Sequence, residues 1–172
     1  MIYLVDTNFL LRFVDRSSSL NPMVRNVRKK LTANSEQLII TPQNCIEFWN
    51  VATRPAAKNG LGLTPSYANK LLQIIERMFP LLPDTPAIYP EWRRLVNTYS
   101  VSGVQVHDAR LVASMKANGI THILTFNVND FTRYTVADFS RDVEKKEWFA
   151  IDYREPLAIV YYIWKFLRLN LL

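Results

Sequence analysis

Apolar and polar positions along this chain keep switching between two periods, and each switch marks an element. "IYLV" (2–5) is an unbroken apolar run, the pattern of a short strand covered on both faces. Asp6 ends it. Phe9, Leu10 and Phe13 then recur at helical spacing through "TNFLLRFVD". After the loop "DRSSSLNP", Asn21 followed by Pro22 predicts a helix start, Asn as cap and Pro at the first position. Met23, Val24, Val27 and Leu31 form the inner face of that helix. "QLII" (37–40) predicts a second strand, and Thr41-Pro42 opens the helix "PQNCIEFWNVATR". A turn-rich stretch leads into the helix "PSYANKLLQIIERM", "FPLLP" (79–83) predicts a third strand, and "PEWRRLVNTYS" another helix. "VHDARLVASMKANG" predicts a helix closed by Gly119 as a C-terminal cap, before a fourth strand, "HILTF" (122–126). "TVAD" (135–138) is a candidate fifth. Short apolar strands alternating with helices point to a parallel sheet in an α/β fold.

Past residue 140 the alternation lapses. "RDVEKKEW" has the mixed charge of a solvated face, and Pro156 would open an apolar helix over 156–170 that has to bury against something. As a helix, "LAIVYYIWKFLRLNLL" (157–172) spans only about 24 Å, short of the roughly 30 Å of a bilayer core. Lys165 and Arg168 interrupt it as well. A packing or partner surface is therefore expected there, with no membrane association. Asp6 breaks the N-terminal apolar run too early for a secretory leader.

Composition narrows the function classes. With 172 residues, 49% of them hydrophobic, the chain can bury one substantial core. A single cysteine, Cys45, excludes a disulfide framework or a Cys-rich zinc site and fits a reducing cytoplasm, with Cys45 itself expected as a small core residue. The net charge is +6, and the excess lies in residues 1–140, which favours a polyanionic partner. Four glycines in the whole chain leave no room for a phosphate-binding P-loop.

The acids carry the chemistry. Asp6 follows the first strand, Glu47 interrupts an apolar helix between Ile46 and Phe48, Asp108 opens a helix, and Asn127 and Asp130 follow the fourth strand. Ligands of an open parallel sheet bind beyond the carboxyl ends of its strands, where Asp6, Asn127 and Asp130 emerge. Each has an ordinary structural reading too. Asp6 or Thr7 would serve as a helix cap, Asp108 suits a helix dipole, and Asn127, Asn129 and Asp130 suit a turn. Clustered carboxylates must recruit protons or cations. Oxygen donors without His or Cys select Mg²⁺ or Mn²⁺, and such a site suits phosphodiester hydrolysis. An aspartyl-phosphate enzyme usually shows a second Asp two positions after the first, where this chain has Asn8.

"YLVDTNFLL", "CIEFWNV", "HDARLVASM" and "ILTFNVNDF" resemble, in order and spacing, the PIN-domain nucleases, and the VapC-type toxins of toxin–antitoxin modules in particular. The resemblance covers residues 1–140, a PIN-like nuclease domain, and leaves 141–172 as a C-terminal extension. It implies a three-layer α/β/α fold around a short central parallel sheet of four or five strands. It further implies an Mg²⁺- or Mn²⁺-dependent endoribonuclease, restrained by a cognate antitoxin protein and forming a homodimer. Asp6, Glu47 and Asp108 match the family's three acidic metal positions, and Asp130 a fourth. Asn127 stands where an acid is usual, a neutral donor that weakens a second metal position. Thr7, Asn8 and Thr125 match polar support for the acids.

Arg12, Arg16, Arg54, Lys58, Arg110 and Arg133 are candidate RNA contacts, with Arg110 equally suited to pairing with an acid. His107 and His122 read as edge or packing residues. Phe48, Trp49 and Trp92 either stack on bases or belong to the core or a dimer surface. Two other readings stand beside the toxin: a PIN nuclease of RNA processing, and a catalytically weak PIN fold that binds RNA or a partner.

Overall fold

A computed structural model describes residues 1–134. Three parallel strands, β1 (Ile2–Val5), β2 (Gln37–Ile39) and β3 (His122–Leu124), form a sheet in the order β2-β1-β3. Tyr3 pairs with Leu38 on one side and with His122 on the other. Among the described residues, seven α-helices surround the sheet: α1 (Thr7–Val14), α2 (Asn21–Ala33), α3 (Pro42–Thr53), α4 (Pro65–Met78), α5 (Ile88–Thr98), α6 (Gln105–Ala117) and α7 (Val128–Phe131).

The pleat of β1 sorts the two cores. Tyr3 and Val5 pack with Phe9, Phe13, Val24, Phe48 and Ile75 of α1–α4. Leu4 points the other way, onto Ile88, Leu95, Leu111 and Val112 of α5 and α6. The sheet is therefore sandwiched, which is why its strands read as unbroken apolar runs. The parallel α/β layering expected from the alternation holds.

The strand count does not. Among the described residues there are three strands, not four or five. The stretch 79–83 contributes only an isolated parallel bridge, Ile40 to Leu81, with Leu82 N–H donating to the Ile40 carbonyl at 2.7 Å. Pro80 and Pro83 have no N–H to extend that ladder. Residues 135–138 and the helix expected over 156–170 lie outside the described residues, as does the extension 141–172.

Two helix ends behave differently from each other. Thr41-Pro42 opens α3 as expected, with a capping box in which Asn44 Oδ1 accepts from both Thr41 N–H and Thr41 Oγ1 at 2.8 Å. Asn21 does not cap α2. It lies inside the helix, and its amide nitrogen donates to the carbonyls of Arg12 and Phe13 at 2.8 and 2.9 Å. It thus satisfies orphan carbonyls at the end of α1. Gly119 takes φ +65° just past α6, the left-handed stop its position predicts. No helix among the described residues is long and apolar enough to cross a membrane.

Candidate active site

The carboxyl end of the sheet delivers the first acid. Asp6 N–H donates to the Leu124 carbonyl at 2.9 Å, one step beyond the β1–β3 ladder, so the backbone of Asp6 is locked to β3. Asp6 occupies the N-cap position of α1, yet its side chain makes no capping hydrogen bond. Its Oδ2 instead accepts from Thr125 Oγ1 at 2.6 Å and Asn8 Nδ2 at 2.7 Å. Asn8 is itself held, because its Oδ1 accepts the N–H of Phe126 at 3.1 Å. Thr7 and Asn8 therefore point in different directions: Asn8 clamps Asp6 to β3, while Thr7 Oγ1 donates to Glu47 Oε2 at 2.7 Å. Asn44 Nδ2 donates in turn to Thr7 Oγ1 at 3.2 Å.

Glu47 sits on α3, one turn from Gln43. Gln43 Nε2 donates to Glu47 Oε1 at 2.6 Å and to the His107 carbonyl at 2.7 Å, linking α3 to the start of α6. Asp108 lies in the first turn of α6, and Asp130 in the first turn of α7, with Asn127 at the N-cap of α7. The Asn127 N–H donates to Thr125 Oγ1 at 2.9 Å. The three elements that follow strands, and α6 beside them, thus bring acids far apart in sequence to one edge.

Electrostatics shows that they share a field. Burial pushes the Asp6 carboxyl up from 3.8 to about 6; its Thr125 hydrogen bond opposes the rise, Glu47 adds to it, and nearby backbone amides of Thr7 and Asn8 also oppose it. Asp6 is 7% exposed, so little solvent screens it. Asp108 is pushed up to about 7, first by burial and then by Asp6, Asp130 and Glu47; Arg133 opposes this. A divalent cation is what such mutually repelling oxygen donors suit. Among the described residues no three acidic, His or Cys side chains converge as a ready-made ligand set. Hydrogen bonds explain part of this, since Thr7 and Gln43 hold Glu47 while Thr125 and Asn8 hold Asp6.

The basic residues divide. Arg133 lies close enough to Asp108 to oppose part of the rise in its pKa. Arg12 donates to the Asn8 carbonyl at 2.7 Å and stacks on Phe126, 4.5 Å from the ring centre. Arg16 is exposed just past α1. Arg54 caps the far end of α3 and donates to the Asn59 carbonyl at 2.9 Å, beside exposed Lys58. Seven residues from Glu47, it stands about 10 Å away along the axis. Arg110 pairs with Asp84 at 2.7 Å and donates to Gln43 Oε1 at 3.0 Å. Phe48 is fully buried and Trp49 packs partly buried against the same core. Gln43, Asn44 and Asp84 were not singled out from the sequence. The spacing of Gln43 to Glu47, four residues on one helix, was the available signal; Asp84 had none.

A family model for the PIN domain matches residues 3–136. The chain is a PIN-domain protein. No curated protein sequence matches this PIN domain significantly. Among solved structures its fold resembles VapBC2 from Rickettsia felis, bound to a DNA fragment from its promoter, with TM-score 0.60 and 14% identity over 77% of this chain and 92% of that one. VapBC-1 from nontypeable Haemophilus influenzae gives TM-score 0.57 and 15% identity over 77% and 92%. VapC20 from Mycobacterium tuberculosis, a sarcin–ricin loop cleaving toxin, gives TM-score 0.50 and 17% identity over 72% and 87%. At these identities the likeness is one of fold.

Proposed function

We propose that this PIN domain is a divalent-metal-dependent endoribonuclease, the toxin of a toxin–antitoxin pair. The observation that carries the reading is the gathering of buried acids at one edge: burial first, and then repulsion from neighbouring acids, raises Asp6, beside Glu47, to about 6 and Asp108, beside Asp6, Asp130 and Glu47, to about 7. Asp6, Glu47, Asp108 and Asp130, with Asn127 as a neutral donor, would hold Mg²⁺ or Mn²⁺. Such an ion supplies positive charge for the phosphate and makes a water more acidic. The protein's part is orientation: Thr125 and Asn8 hold Asp6, while Thr7 and Gln43 hold Glu47. Arg133 and Arg12 flank the acids as phosphate contacts, and Arg16, Arg54 and Lys58 extend the basic surface. Arg110 acts from its Asp84 pair.

The VapBC likenesses support an antitoxin partner, and the surface supports a protein partner independently. Ile46 on α3 is 70% exposed, and Tyr67, Ile74 and Met78 leave α4 with a broad exposed apolar face. A homodimer and a cytoplasmic site of action belong to the same proposal. Cleavage of purified RNA in Mg²⁺ or Mn²⁺, and its loss in chelator, tests the enzyme. Asp6→Asn and Asp108→Asn should fold and lose cleavage; full activity in both overturns the site. Growth arrest on induction tests the toxin, and cleavage without arrest favours an RNA-processing nuclease. RNA binding without metal uptake favours the binding module.

A further inference from the structure

A cleft of about 450 Å³ opens where α5 begins, lined by Asp84, Thr85, Ile88, Tyr89, Trp92 and Arg110. Its wall is aromatic. Tyr89 and Trp92 lie with ring centres 5.8 Å apart and planes inclined by 31°. Tyr89 is 63% exposed, so core packing does not account for it. The Trp92 indole N–H donates to the Val106 carbonyl at 3.0 Å, which fixes that ring. Beside Ile88, the remaining lining is polar: the Arg110–Asp84 pair, and Thr85 Oγ1, a buried hydroxyl without a hydrogen-bond partner among the described residues.

One side chain connects this cleft to the acids. Gln43 takes the Arg110 guanidinium on its oxygen at 3.0 Å and gives its amide hydrogens to Glu47 at 2.6 Å. The cleft is therefore one residue removed from the proposed reacting centre. An exposed aromatic ring face bordered by a carboxylate, a guanidinium and a hydroxyl matches the face and the edge of a nucleobase. Single-stranded RNA is read in this way, by stacking on aromatic rings and hydrogen bonding along the base edge. The net charge of +6 suits the strand that carries the base.

We propose that this cleft is a nucleobase pocket, receiving one base of the RNA strand whose scissile phosphate lies at the acidic centre. It rests on the ribonuclease reading, and it makes Tyr89, Trp92 and Arg110 determinants of substrate choice.

The test uses the full chain in chelator, so that nothing is cleaved, with 5′-labelled RNA hexamers of single composition. Tyr89→Ala, at an exposed position, should fold normally and weaken binding of the preferred hexamer about tenfold, within the range for loss of one stacked base. In the native protein the hexamer should quench tryptophan fluorescence, and Trp92→Phe should remove that quench while keeping much of the affinity. Unchanged affinity in Tyr89→Ala, or an unchanged quench in Trp92→Phe, overturns the pocket. So does a Tyr89→Ala protein that binds RNA normally but fails to hold its co-expressed antitoxin, which would make the cleft a protein-binding site. Failure of the nuclease reading looks different: the native protein would not cut RNA in Mg²⁺ or Mn²⁺, whatever the hexamers show.

Discussion

Replacing Asp6 with Asn should make the metal-free protein more stable at pH 8, although it removes the central acid of the site. The folded pKa of Asp6 is about 6 against 3.8 for the free group. Between those values the folded state holds its proton more tightly than the unfolded chain. Stability therefore falls as pH rises through that window, and the deficit is complete above it. A shift of about two units corresponds to about 3 kcal/mol. The residue is almost wholly buried, so little of this is lost to screening. Asparagine cannot ionise, and its side-chain oxygen can accept from Thr125 and Asn8 as Asp6 Oδ2 does. Its NH₂ needs a new acceptor, an offset of about 1 kcal/mol. The net gain expected is about 1–3 kcal/mol, a Tm rise of roughly 2–4 °C per kcal/mol for a chain of this size. Thermal unfolding followed by circular dichroism in chelator, at pH 4 to 8, reads it directly. Carboxylates away from the site titrate in both proteins and cancel in the difference, whereas Asp108 and Glu47 lose the repulsion of the Asp6 charge and add to the gain at high pH. The gain should shrink steadily as pH falls from 6 and vanish between about pH 4 and 5, where the NH₂ cost balances what remains of the ionisation penalty. A gap that is the same at pH 5 and pH 8, or an Asn variant less stable at pH 8, would refute the account of Asp6. Adding Mg²⁺ should then stabilise the native protein and leave the variant largely unmoved.

Three further outcomes follow from the same contacts. Asn8→Ala removes the donor to Asp6 and the acceptor of the Phe126 N–H, and should cost about 1–3 kcal/mol in urea unfolding. Gln43→Ala frees Glu47 and breaks the link to Arg110; calorimetric Mn²⁺ titration should show metal affinity about 10- to 100-fold weaker, with an unaltered circular dichroism spectrum. Phe79→Ala empties the contact with Phe13 and Phe9, whose ring centres lie 5.1 and 6.4 Å away. It should lower stability by about 3–5 kcal/mol, measured by denaturant midpoint.

Much of this architecture is local in origin, and that part was readable along the chain. The apolar run at 2–5, the Thr41-Pro42 start of α3 and the Gly119 stop each depend on neighbours a few residues away. So does the alternation that implies a parallel sheet. The order of the acid-bearing blocks likewise assigns the four acids to the strand ends and the helices beside them. The stretch 79–83 shows the limit: its apolar residues look like a strand, but Pro80 and Pro83 leave it a single bridge.

Only the tertiary structure decided what each polar group faces. Asn21 carries every sign of a helix cap, yet it closes the end of α1 because the turn folds it back there. Arg110 was equally suited to phosphate or acid, and the approach of Asp84 from 26 residues away settled its partner. Asp6 at the start of a helix reads alone as a cap. It becomes an acid with a raised pKa because the fold buries it and brings Glu47, on another helix, into the same corner, while Thr125, 119 residues on, donates the hydrogen bond that opposes the rise. Local pattern sets the backbone through short-range propensity and burial. Charge, by contrast, answers to whatever the fold brings within a few ångströms, and that is written in no stretch of sequence short enough to read.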